Sequence, residues 1–227
     1  GETRLNVVIV CPGEGQSTFT SSSLLVTNTQ SEELLRKFEQ FLDGAECAII
    51  GGSLPAGTPL DFYQCAISAA NLRSIPVIFD ASGPSLASGI KACPAVIKPN
   101  LTELEDLLGY RIDTRAEACQ AALKLSETYG SSIIVTLGDE GAIAVLDGQT
   151  FHISPLEVPI ESTAGAGDGV LAGMALAFYN KESKVEGLRQ GFALAGAVVQ
   201  TLSTAGFDPK EYDRLLTEVK IQAYEPE

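Results

Sequence analysis

Short apolar runs alternate with helix-length segments along most of the chain, and that alternation restricts the fold more than any other feature. Residues 5–10, 24–27, 45–50, 76–80, 95–97, 132–137 and 142–146 read as strands, with 151–153 as a further short one. Residues 11–23 are polar and rich in Gly, Ser and Thr. Ser31 is expected to cap a helix with an apolar face of Leu34, Leu35, Phe38, Phe41 and Leu42, closed by Gly44. A second helix is predicted over about residues 60–72, and a third runs from a Thr114/Glu117 capping box to Tyr129, with Gly130 closing it. The remainder reads as mostly helical, over about 166–179, 185–202 and 209–219. This order builds an α/β fold around a mostly parallel sheet covered on both faces, and ligands then sit beyond the carboxyl ends of the strands. At 227 residues the chain has the length for one full core and little room for a second large domain.

The loops able to carry chemistry fall at those strand ends. In Ser162-Thr163-Ala164-Gly165-Ala166-Gly167-Asp168, small residues lead into one carboxylate, and a helical run from Gly169 follows at once. Backbone N–H groups at a helix start, with the dipole behind them, favour an anion. A carboxylate beside an anion hole is electrostatically awkward. A general base for a hydroxyl that attacks a phosphoryl group would explain it. The plainer alternative is a closely packed helix start with Asp in its first turn, and it weakens as the other loops are added.

Lys98-Pro99-Asn100-Leu101-Thr102-Glu103 fits an N-cap with a capping box. It also ends an apolar strand with a lysine suited to a nucleotide phosphate, and Glu103 would then hold magnesium through water, which Mg²⁺ sheds reluctantly. In Thr136-Leu137-Gly138-Asp139-Glu140-Gly141, the Thr136 hydroxyl and the Gly138 amide would face a triphosphate, with a plain hairpin turn as the alternative. The segment Gly51-Gly52-Ser53-Leu54-Pro55-Ala56-Gly57-Thr58 fails as a P-loop, because no lysine follows Gly57 and Pro55 lacks an N–H. It is read as the floor of a substrate pocket. No G-x-G-x-x-G follows any strand, which leaves a dinucleotide dehydrogenase unsupported.

Charge and composition narrow the partners. A net charge of −14 disfavours nonspecific binding to nucleic acid or to anionic membranes. Five cysteines without a C-x-x-C pair argue against a zinc site and read as reduced thiols in a cytoplasmic protein. His152, the one histidine, leaves no material for a Ser-His-Asp triad or a multi-His metal site and is read as structural.

Taken in order, these loops resemble the ribokinase/PfkB family of carbohydrate kinases. Residues 162–175 satisfy that family's carboxy-terminal signature along their whole length, while Gly52-Ser53-Leu54-Pro55, Lys98-Pro99-Asn100 with Glu103, and Thr136-Leu137-Gly138 resemble its hexose-phosphate branch, the phosphofructokinases and tagatose-6-phosphate kinases. The resemblance implies a three-layer α/β/α, Rossmann-like fold with a remnant of a β lid over residues 1–28 and a nucleotide-binding core over 29–227. It implies transfer of the ATP γ-phosphate to a hydroxyl of a sugar phosphate, with Asp168 as base and the amides of Gly165, Ala166 and Gly167 as anion hole. Asn100 and Glu103 would organise magnesium, Lys98, Thr136 and Gly138 the nucleotide, and Ala193 and Ala197 would leave room for adenine. Arg4 and Asn6, within Thr3-Arg4-Leu5-Asn6, would meet the substrate with Gly52 and Ser53.

The same resemblance leads one to expect a further stretch of sheet ahead of Gly1, and so an open sheet edge where those strands belong. Gly169 stands where the family often has Ser, Thr or Ala, and Thr204-Ala205-Gly206 replaces a common Gly-Thr pair. A homodimer through the lid is a further implication. The alternative function is a non-catalytic nucleotide- or sugar-phosphate-binding regulatory protein on the same fold. A nucleoside or vitamin kinase is disfavoured by Arg4 and the 52–55 loop.

Overall fold

The computed structural model describes residues 3–11, 15–21, 24–203 and 205–226; Thr204 and part of the 1–28 segment lie outside these. Asn6–Cys11 (β1) and Gly15–Thr20 (β2) form an antiparallel hairpin that is a two-stranded sheet of its own, with Val7 opposite Phe19 and Ile9 opposite Ser17. Leu5, Val7, Ile9 and Phe19 are all exposed. β2 does not announce itself in the sequence, because Phe19 is its only large apolar residue and no alternation results.

Asn28–Phe41 (α1) follows, capped by Thr27 rather than Ser31. Thr27 Oγ1 accepts the Gln30 N–H at 3.3 Å, while Gln30 Oε1 accepts the Thr27 N–H at 2.9 Å. Thr27 with Gln30 completes a capping box; Ser31, with Leu34 three residues on, cannot. Ser31 is buried one turn into the helix. Of the expected apolar face, Leu42 is buried and Leu35 and Phe38 pack against the core, but Leu34 and Phe41 are exposed. The strand expected at 24–27 reduces to one parallel bridge between Leu25 and Ala56, beside which the Val26 N–H donates to Ala56 O at 2.8 Å. Gly57, at φ +88°, faces Val26 O with the side where a Cβ would stand.

The main sheet follows chain order: Ala48–Gly51 (β3), Val77–Asp80 (β4), Val96–Ile97 (β5), Ser132–Thr136 (β6), Ala142–Leu146 (β7), Gln149–Ile153 (β8) and Ile221–Ala223 (β9). β3 to β6 pair in parallel and the last three pairings are antiparallel, so five strands, β3–β6 and β8, run one way. The sheet is therefore mostly parallel. β3 is an edge strand: no described strand pairs with its outer side, and Ile49 is half exposed there.

The remaining helices are Phe62–Asn71 (α2), Gly83–Gly89 (α3), Leu101–Leu108 (α4), Arg115–Tyr129 (α5), Ala166–Asn180 (α6), Lys184–Val198 (α7) and Pro209–Glu218 (α8). Successive strand residues point to opposite faces. Phe79, Ile133 and Val135 meet α2 to α5 in one core, while Ile78, Ile134 and Ala144 meet α6 to α8 in the other. Three layers result. The two helices α6 and α7 approach almost to backbone contact: a Cβ on Gly169 would come 2.8 Å from Ala195 N, and one on Gly173 would collide with Gly191 N. Gly169 thus departs from the family's Ser, Thr or Ala where only hydrogen fits. No helix among the described residues is long and apolar enough to cross a membrane.

Candidate active site

The loops that end β4 and β5 meet the first turn of α6, and the loop that ends β6 joins that of β5 through an Asn100–Thr136 bridge. Lys98 follows β5 directly, and its N–H donates to Phe79 O at 3.1 Å, which fixes the side chain at the sheet's carboxyl edge. Its ammonium lies 3.0 Å from Asp80 Oδ2 with the side chain only 6% exposed. Gly167 lies against it, since a Cβ there would be 3.3 Å from Lys98 Nζ and 3.8 Å from Asp80 Oδ2. Lys98 is thus paired with Asp80 and lies against the first turn of α6. Burial holds the Asp80 carboxyl above the ordinary carboxylate range; Lys98 opposes this shift and the negative charge of Asp168 adds to it. One buried cation thus stands beside the Asp80 carboxylate.

Asp80 is the residue that sequence reasoning missed. Its signal is the one that singled out Lys98, a charged residue ending an apolar strand. Asp80 also acts through its backbone: its carbonyl accepts the Gly52 N–H at 2.9 Å, and Gly51 packs so closely on the same oxygen that a Cβ would collide with it. Asp80 thereby joins the glycine loop to the lysine.

Asp168 is exposed in the first turn of α6. Gly165 caps this helix in the left-handed conformation, φ +88°, with no side-chain cap hydrogen bond. Of the three amides expected as an anion hole, that of Ala166 donates to Thr163 O at 3.3 Å, a bond an anion would have to share or displace.

Asn100 caps α4 in a full capping box: its Oδ1 accepts the Glu103 N–H and Glu103 Oε2 accepts the Asn100 N–H, both at 2.8 Å. Glu103 Oε1 accepts from no described residue, so the cap and a ligand role are compatible. Among the described residues no group of three or more His, Cys, Asp or Glu could hold a metal. One carboxylate with a single oxygen left open beyond its cap is a donor that would reach a magnesium ion through water. Asn100 also bridges Thr136, whose N–H donates to Pro99 O at 3.1 Å, so the second and third loops are one surface. Gly138, at φ +64°, has open space where a Cβ would stand. His152 Nε2 lies 3.2 Å from Glu140 O and braces this loop from behind, in keeping with a structural role.

Gly52 and Ser53 are exposed at the end of β3. Asn6 opens β1 of the hairpin and Arg4 lies two residues ahead of it, and no side-chain hydrogen bond or ion pair among the described residues joins them to the other loops. Ala193 and Ala197 are buried in the second core with Val170, Met174 and Leu188, so their methyl groups face the protein interior.

A family model described as pfkB family carbohydrate kinase matches residues 1–211. Among solved structures, a possible 1-phosphofructokinase from Thermotoga maritima superposes with a TM-score of 0.89 at 23% identity, covering 99% of this chain and 72% of the other. Phosphofructokinase-2 from Escherichia coli in complex with substrates and products gives 0.81 at 26% identity, covering 95% and 70%. The tetrameric inhibited form of the same Escherichia coli enzyme gives 0.80 at 25%, covering 94% and 69%.

Proposed function

The chain belongs to the pfkB family of carbohydrate kinases, and from that premise we propose that it transfers the γ-phosphoryl group of ATP to a hydroxyl of a fructose phosphate or a related hexose phosphate. The observation that carries this reading is the exposed Asp168 carboxylate beside a helix start whose first turn rests on the buried Lys98. Phosphoryl transfer asks chiefly for alignment and charge stabilisation. Asp168 accepts the proton of the acceptor hydroxyl as it attacks. The amides of Gly165, Ala166 and Gly167 and the Lys98 ammonium meet the charge on the transferring group, aided by the positive end of α6. Lys98, with its counter-charge on Asp80, meets no reorganisation cost when charge develops.

Asn100, Glu103, Thr136 and Gly138 form the nucleotide side of the site, and Gly52 and Ser53 the sugar side, with Arg4 and Asn6 brought by the hairpin. Magnesium bound with the nucleotide would neutralise phosphate charge, and Glu103 with Asn100 would orient its water shell. Residues 1–28 act as the lid and 29–227 as the core. The exposed Leu5, Val7, Ile9 and Phe19 support pairing of two copies through the hairpin. The four cysteines described with their side chains, Cys47, Cys65, Cys93 and Cys119, are free thiols, in keeping with a cytoplasmic protein.

The test is ADP release from Mg-ATP with fructose 6-phosphate, fructose 1-phosphate and tagatose 6-phosphate, run beside Asp168→Asn and Asp168→Ala. Loss of the base should cost about 10²–10⁴-fold in rate, with nucleotide binding retained. Near-normal turnover in either variant would remove Asp168 from the mechanism. A wild type that binds nucleotide and sugar phosphate without turnover would establish the regulatory alternative instead.

A further inference from the structure

We propose that the Tyr63 hydroxyl is a positioning group for the sugar-phosphate side of the site, holding the Gly52–Ser53 peptide so that its N–H is presented to the substrate. The inference rests on the reading of the 52–53 loop as substrate-facing. Tyr63 is the second residue of α2, and its side chain is buried. Its ring stands edge-on to Phe79 of β4 at 5.5 Å and to Phe62 at 6.0 Å, which leaves it one position. The hydroxyl lies 2.9 Å from Gly51 O and 3.1 Å from Gly52 O, so a single proton is shared between two consecutive carbonyls. Burial raises the phenol above its ordinary value, and the donor stays protonated at any physiological pH.

Two carbonyl oxygens drawn to one buried donor are both turned into the protein. In a planar trans peptide the N–H points opposite to its C=O. The N–H opposed to Gly51 O belongs to Gly52 and is taken by Asp80 O at 2.9 Å. The N–H opposed to Gly52 O belongs to Ser53 and therefore points away from Tyr63, where no described residue accepts it. Ser53 is exposed, and a Cβ at Gly52 would meet nothing within 4 Å, so this side of the loop is open. A phosphorylated sugar is anionic and rich in oxygen. A loop that showed it two carbonyl oxygens would repel it, whereas this one offers an amide and a hydroxyl. Tyr63 makes the difference without touching the substrate.

Tyr63→Phe keeps the ring and removes only the donor. KM should be measured for the sugar phosphate active in the panel above and for Mg-ATP, together with amide hydrogen exchange over residues 49–56. The expected result is a rise of about tenfold in the sugar-phosphate KM, an unchanged KM for Mg-ATP, retained kcat and faster exchange at Gly52. Tyr63→Leu, which also removes the ring, should lower thermal stability further with no greater selectivity between the substrates. Wild-type exchange at Gly52 in Tyr63→Phe overturns the proposal, as does an equal loss of affinity for both substrates. If wild-type protein turns over no sugar phosphate, the functional reading fails by itself. Exchange at Gly52 then still decides the clamp, faster exchange sustaining it and unchanged exchange removing it.

Discussion

The Lys98 ammonium sits 3.0 Å from the Asp80 carboxylate, and this buried pair is the floor on which Gly167 rests. Removing one partner of such a pair strands the other charge. Lys98→Met should destabilise the protein by about 3 kcal/mol and abolish most turnover. Adding Asp80→Asn should restore stability but not activity, because the stranded charge is gone while the cation is still missing. Urea unfolding and steady-state rates on the two single variants and the double variant check this; a double variant no more stable than Lys98→Met would sink it.

The raised Asp80 carboxyl has a defined pH signature. A group whose folded-state value lies above its unfolded value favours the folded state fully below the unfolded value, here 3.8, and that benefit is lost as pH rises through the folded value. The stability of wild type relative to Asp80→Asn should therefore fall as pH is raised from about 4 toward neutrality. Denaturant midpoints measured across that range decide it, and a difference that grows with pH would contradict the assigned shift.

Gly169→Ala places a methyl group 2.8 Å from Ala195 N. Overpacking of this kind costs about 1–3 kcal/mol, and here the strain falls one residue from Asp168. Thermal unfolding should show the loss, and kcat should drop with it while KM for ATP changes little. Gly173→Ala, aimed at the backbone of Gly191, should be the more damaging to stability and the less selective for kcat.

Glu103→Gln separates the two roles of that residue. Glutamine can still complete the capping box with Asn100, so stability should hold within about 0.5 kcal/mol. The lost charge should raise the magnesium concentration needed for half-maximal turnover. Asn100→Ala, by contrast, should cost about 1 kcal/mol through the lost cap. Magnesium titrations beside chemical unfolding distinguish the two variants; an unchanged magnesium requirement in Glu103→Gln would remove its metal role.

Legibility in the sequence followed the range of the interactions. The starts of α5 and α6 were visible because local chemistry defines them: the Thr114 cap with Glu117 and the Gly165 turn. Short elements without such marks were not. Gly83–Gly89 has a glycine at each end and no amphipathic stripe, and Ile221–Ala223 is a strand only because β8 lies beside it. Lys98 was recognisable as a charged residue ending a strand, but its partner is supplied by β4, eighteen residues earlier in the chain. Tyr63 carries no local signal in the sequence, since the two backbone oxygens that its hydroxyl meets lie eleven and twelve residues away. The burial of Ala193 and Ala197 was equally hidden, because helix α7 is small-residue-rich on more than one side.

The short run from Leu25 to Thr27 couples two parts of the molecule that would otherwise vary separately. It joins the hairpin to α1 while Val26 is tied to Ala56 and fills the space beside Gly57. Any larger residue at position 57 would push this tether away from the loop that begins at Gly51. The tether and the loop are thus fixed together: reshaping the 51–57 segment requires either keeping a glycine at 57 or rebuilding the Leu25–Thr27 run in the same step.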